Sequence, residues 1–155
     1  MLKLSSTTVV GLVCCVMACG RPTDDVAYRL GLMPTPRQIA LNGDRIDLSG
    51  WQIVTPPTLP LCRVGAAEIN LRIEELGGKP LQIVDSPQSR RGRIVVGLCS
   101  GAAVRVTAKA LGVVLTRSDP GEQGYVIRCG EIAGAPVILA GGSDEQGALY
   151  ACITL

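Results

Sequence analysis

Arg93-Ile94-Val95-Val96-Gly97-Leu98 is a nearly continuous apolar run of strand length, the pattern of a central strand rather than of one with a wet face. On its N-terminal side, residues 86–92 are a polar turn, and Lys79-Pro80 leads into a second strand over residues 81–84. Before that the period changes. Ala66, Ile69, Ile73 and Leu76 recur at spacings of three and four, while Arg63, Glu68, Asn70, Arg72, Glu74 and Glu75 mostly face away, which predicts a helix over residues 62–76. Gly77-Gly78 ends it, because glycine takes the left-handed cap conformation cheaply. Further upstream, Pro56, Pro57 and Pro60 break regular structure after a strand over residues 51–54. Ile39 and Leu41 alternate with small or polar neighbours, as do Ile46 and Leu48, and Asn42-Gly43 between them predicts a hairpin.

On the C-terminal side, Val104, Ala108 and Leu111 share one side of a helix predicted over residues 102–111 and capped by Gly112. A short strand follows at residues 113–115, then a turn at Ser118-Asp119-Pro120-Gly121. Strands over residues 124–129 and 136–140 are joined by a glycine-rich connection, residues 130–135. A third helix opens at Gly141-Gly142-Ser143, with Ser143 as N-cap, Gln146 completing a capping box, and Asp144 and Glu145 suited to the positive helix end. Leu149, Cys152 and Ile153 form its apolar face. The chain ends at Leu155 inside this pattern and without a C-cap, so the expectation is a segment cut off before a following domain. The fold class is α+β, a mixed β-sheet with helices packed on it.

The 155 residues suffice for one domain, and 47% apolar content excludes a disordered chain. Residues 1–19 read as an export signal: Lys3 supplies the positive charge, and the apolar stretch over residues 9–16 is far short of the roughly 20 residues that span a bilayer. Val16-Met17-Ala18-Cys19 has the form of a bacterial lipoprotein cleavage box, with Cys19 as the lipidated residue. A plain secretory signal cut near Ala18 is the alternative. The expected localisation is export with membrane anchoring, in the periplasm or at the cell surface. Residues 20–32 are a solvated tether, and a folded domain occupies residues 33–155.

Net charge is +2 without a clustered basic run outside Arg90, Arg91 and Arg93, so nucleic acid is not an implied partner. The absence of histidine removes Ser-His-Asp and Cys-His catalysis and the common zinc hydrolase sites. Cys14, Cys15 and Cys19 lie in the signal, leaving Cys62, Cys99, Cys129 and Cys152 in the domain. No CxxC spacing occurs, so no metal site is expected. The four read as small buried thiols, although an exported chain permits disulfides and three pairings stay open.

Three segments together resemble a known family. They are Met33-Pro34-Thr35-Pro36-Arg37 with its hairpin; residues 66–84 with the strand at 93–98; and Gly124-Tyr125-Val126-Ile127 with residues 137–151, including Gly142-Ser143-Asp144-Glu145-Gln146-Gly147-Ala148-Leu149-Tyr150-Ala151. This order is similar to the N-terminal, non-catalytic domain of β-N-acetylhexosaminidase-type glycoside hydrolases, family 20 and related barrel glycosidases. The resemblance implies a zincin-like α+β domain without zinc, packed beside a catalytic (β/α)₈ barrel present in cis or trans. It implies carbohydrate degradation in which an Asp-Glu pair on the barrel works with the substrate's own N-acetyl group. No catalytic, cofactor-binding or metal-binding residue carries over to this chain.

The chain's own carboxylates have structural explanations. Glu74 and Glu75 sit on an exposed helix face, Asp24 and Asp25 in the tether, and Asp144 and Glu145 at a helix start. Gly141-Gly142-Ser143 lacks the lysine of a phosphate loop, and Asp144 and Glu145 would repel an anion. The chain contains no phenylalanine, and Trp51, Tyr28, Tyr125 and Tyr150 are its only large aromatics. Trp51 is expected in the core. The alternative function is a stand-alone lipoprotein that binds a glycan or a cell-envelope protein.

Overall fold

The computed structural model describes residues 9–11, 31–32, 36–40, 45–87 and 92–155. Cys19, the tether aspartates and the Asn42-Gly43 turn lie outside these residues, as do Arg90 and Arg91. Strand β1 (Val9–Gly11), within the stretch read as an export signal, pairs antiparallel with β2 (Arg45–Asp47). The turn of the expected hairpin lies outside the described residues, and the described partner of β2 is β1.

Five strands build the main sheet: β3 (Gln52–Val54), β4 (Gln82–Val84), β5 (Arg93–Leu98), β6 (Tyr125–Ile132) and β7 (Ala135–Gly142). Their order is β4-β3-β5-β7-β6; the first four run parallel, and β6 returns antiparallel along β7. The sheet is mixed, as expected. Arg93–Leu98 is its middle strand, with Ile94, Val95 and Val96 each about 1% exposed. Both of its faces are covered, which is why the run is continuous rather than alternating.

Helix α1 (Pro60–Glu75) and helix α3 (Glu145–Thr154) cover one face of the sheet, and α2 (Ala102–Ala110) covers the other. Successive strand residues therefore enter different cores. Ile53, Ile94, Val96, Ile138 and Ala140 point to α1 and α3 with Cys62, Ala66, Ile69, Ile73, Ala148 and Ala151. Val54, Val95, Val137 and Leu139 point to Val104 and Ala108 of α2. Proline at the first helical position of α1 costs no hydrogen bond there. Both α1 and α2 end in Schellman turns: the Gly78 amide donates to the Ile73 carbonyl (2.8 Å), and that of Val113 to Ala108 (2.9 Å). In the first of these, Gly77 adopts φ +80°.

Several expectations need correction. Residues 113–115 form no strand; Val113 and Leu115 pack onto the α2-side core while Val114 is 59% exposed. Their alternation is real, but they lie against the sheet's face, where no strand edge is available to pair. The connection over residues 130–135 is strand for most of its length. It narrows to Ala133-Gly134, both at positive φ, the two-residue turn that suits a twisted hairpin. Leu76 belongs to the cap of α1 and is half exposed. Asn70 does not face away: its Nδ2 donates to the Leu81 carbonyl (2.9 Å) and its Oδ1 accepts from the Leu81 amide (2.7 Å), tying α1 to the start of β4. On α3 the buried face is Gly147, Ala148, Ala151, Cys152 and Thr154, and Ile153 is 50% exposed.

Candidate functional site

The richest polar arrangement lies where β7 ends and α3 begins. Strand β7 runs through Gly142, two residues further than its apolar run, so Ser143 is carried into the interior and Asp144 becomes the N-cap. Asp144 Oδ1 accepts the Gly147 amide (2.8 Å), and its Oδ2 accepts the amide of Gln123 (2.8 Å), in the loop before β6. Those two amides, Gln123's first, hold the Asp144 carboxyl below the usual aspartate range. The expected Ser143 cap with Gln146 is therefore not formed. Ser143 Oγ is buried and, among the described residues, meets no hydrogen-bond partner; the same is true of Thr55 Oγ1 just beyond β3.

Glu145 turns to the neighbouring helix. Its Oε2 accepts the Leu61 amide at 3.4 Å, at the start of α1, where Leu59 offers no capping side chain. The two carboxylates thus bind backbone donors of different segments. On the exposed face of α1, Glu75 pairs with Arg72 at 2.8 Å. Each of these carboxylates is engaged by a partner of its own chain: Asp144 and Glu145 by backbone amides and Glu75 by Arg72.

The glycines of this corner explain its tightness. A Cβ on Gly142 would fall on the Ala148 amide nitrogen, and one on Gly147 would fall on the Gly124 carbonyl oxygen. Glycine lets α3 start directly against β7 and the loop before β6. The sequence of this strand–helix junction, Gly141-Gly142-Ser143-Asp144-Glu145, carries two carboxylates and no lysine. The chemistry is that of a capped helix, not of a phosphate cradle.

A second feature is an open groove of about 550 Å³ between the C-terminal end of α1 and the start of β3, lined by Leu48, Ser49, Trp51, Ile73, Lys79 and Leu81 among others. Trp51 is 5% exposed and belongs to the core, as expected, so its ring offers no platform for a sugar. Tyr125 is partly buried, and its hydroxyl accepts from Thr154 Oγ1 (3.0 Å), joining β6 to the end of α3.

Cys62 and Cys152 are buried thiols, and Cys99 is a half-buried thiol whose Sγ donates to the Ser143 carbonyl (3.4 Å). Cys129 is also half-buried. Burial, with the Glu145 charge second, pushes the Cys62 thiol up to about 11; burial also pushes Cys152 up. Among the described residues no cluster of histidine, cysteine, aspartate and glutamate is arranged to hold a metal ion. No helix among them is long and apolar enough to cross a membrane.

The cross-element bonds of Asp144, Glu145 and Asn70 escape a sequence reading, because each joins residues distant along the chain; only the carboxylates' position at a helix start signals a capping role. With the fold and this geometry defined, the chain is a mixed-sheet α+β protein with helices on both faces. It matches no protein-family model, and no characterised protein sequence is significantly similar to it.

Proposed function

We propose that this chain is the N-terminal, non-catalytic domain of an exported, lipid-anchored glycoside hydrolase of the β-N-acetylhexosaminidase type, with the zincin-like form of the α+β fold. Its work is to cover and position one flank of a (β/α)₈ catalytic barrel, in cis or in trans, while Cys19 carries the lipid. The observation that carries this reading is the outer side of the helix layer. Val64 and Leu71, two turns apart on α1 and opposite its buried face, are 48% and 51% exposed. On α3, Leu149 lies against Gly65 of α1, and Ile153, one turn on, is half exposed. Apolar side chains on the outside of two adjacent helices are the form of a surface that another domain covers. The engaged carboxylates of the α3 corner support the non-catalytic half of the reading.

The test is to sequence the DNA directly downstream and co-express what it encodes with this chain. The expected product is a barrel bearing an adjacent Asp-Glu pair, active on an aryl N-acetylglucosaminide and co-purifying with this chain. A locus without a barrel, together with a monomeric chain that binds chitooligosaccharide, would favour the stand-alone glycan-binding lipoprotein.

A further inference from the structure

The contact between α1 and α3 brings two thiols together. Cys62 and Gly65 lie three residues apart on the buried face of α1. Gly65 marks the closest approach of α3: a Cβ built there would stand 2.8 Å from Cys152 Sγ and 2.9 Å from Cys152 Cβ. The Cys152 sulfur thus rests on the turn of α1 that carries Cys62, and both side chains belong to one core cluster. Cβ atoms three residues apart on a helix are separated by about 5–6 Å. The distance from the Cys62 Cβ to the Cys152 Cβ therefore falls in a range that contains the roughly 3.5–4.5 Å of a disulfide.

The companion pairing of the other two cysteines, Cys99 with Cys129, is remote. The Cys99 amide donates to the Gly142 carbonyl, whereas Cys129 stands opposite Ile138, four residues back along β7. That is about 13 Å of strand. The geometry thus brings Cys62 and Cys152 together without their companion pair, so the form it points to is a single disulfide.

We propose that Cys62 and Cys152 form a redox pair that closes into a disulfide joining α1 to α3 when the chain meets a small-molecule disulfide oxidant. One cysteine thiolate attacks a sulfur of oxidised glutathione and releases one glutathione thiolate. The second cysteine then displaces the other glutathione from the mixed disulfide. The protein loses two protons and two electrons, and the oxidant becomes two thiols. Burial keeps both groups protonated in the packed protein, so closure is slow once the helix layer has formed and fastest before it has. A closed bond links residues 62 and 152 and shortens the unfolded chain's freedom accordingly.

The experiment treats the full chain with oxidised glutathione or with dithiothreitol, blocks the remaining thiols, and digests it with trypsin and a glutamate-specific protease. The second protease separates Cys129 from Cys152 by cutting after Glu131 and Glu145. The expected result is a linked pair, residues 46–63 to residues 146–155. It should be lost in Cys62→Ala and in Cys152→Ala and kept in Cys99→Ala. The oxidised chain should melt about 5–10 °C higher than the reduced one. Recovery of both Cys62 and Cys152 as blocked thiols would overturn the proposal, as would a link from either to Cys99 or Cys129. A correct link that leaves Tm unchanged would overturn the stapling role.

Discussion

Asp144 shows how much one side chain can organise. It caps its own helix with one oxygen and holds the loop before β6 with the other. Because its folded-state pKa is lowered, its contribution is complete above the ordinary aspartate value, about 3.9, and is lost as pH falls through the folded value. Asp144→Ala should destabilise the chain by about 1–2 kcal/mol in urea denaturation at pH 7. Asp144→Asn, which keeps a capping oxygen, should lose less, and its deficit should shrink on acidification to pH 3 or below. An equal deficit for the Asn variant at both pH values would refute the charged role. The sequence shows a capping region here but not its register, since Ser143, Asp144 and Glu145 all suit a helix start. The decision is made by β7, which continues through Gly142 and carries Ser143 inside.

Among the elements, strands with strong apolar runs were the most legible: β5 has its expected bounds, and the helical stripe of Ala66, Ile69 and Ile73 is buried on α1. Legibility failed where packing relies on small residues. The interior side of α3 is Gly147, Ala148, Ala151 and Cys152, whose weak hydrophobic signal is outweighed in sequence by Leu149 and Ile153. Residues 113–115 show the reverse failure, a strand-like alternation satisfied by packing on a sheet face. The exposed side of α1 carries its own prediction. At high concentration the isolated chain should self-associate through Val64 and Leu71, as seen by light scattering. Val64→Asp combined with Leu71→Asp should suppress that association and shift Tm little, because both side chains are half exposed. A stable monomer at high concentration would contradict the docking role of this side.

At the scale of the whole molecule, the mixed sheet with helices was readable from the order of periodic segments. The placement of α2 opposite α1 and α3 was not, because it depends on where each crossover lands. The candidate site was legible only in part: Asp144 and Glu145 could be recognised as structural, but their partners Gln123 and Leu61 are 21 and 84 residues away. Asp144 and Glu145 serve the chain's own backbone, and in the function proposed above the exposed side of the helix layer meets another domain. The most direct test is hydrolysis of an aryl N-acetyl-β-glucosaminide by the purified chain alone. No turnover above buffer is predicted, for the wild-type chain as for Asp144→Asn and Glu145→Gln. Turnover that copurifies with the chain and falls in either variant would contradict the account.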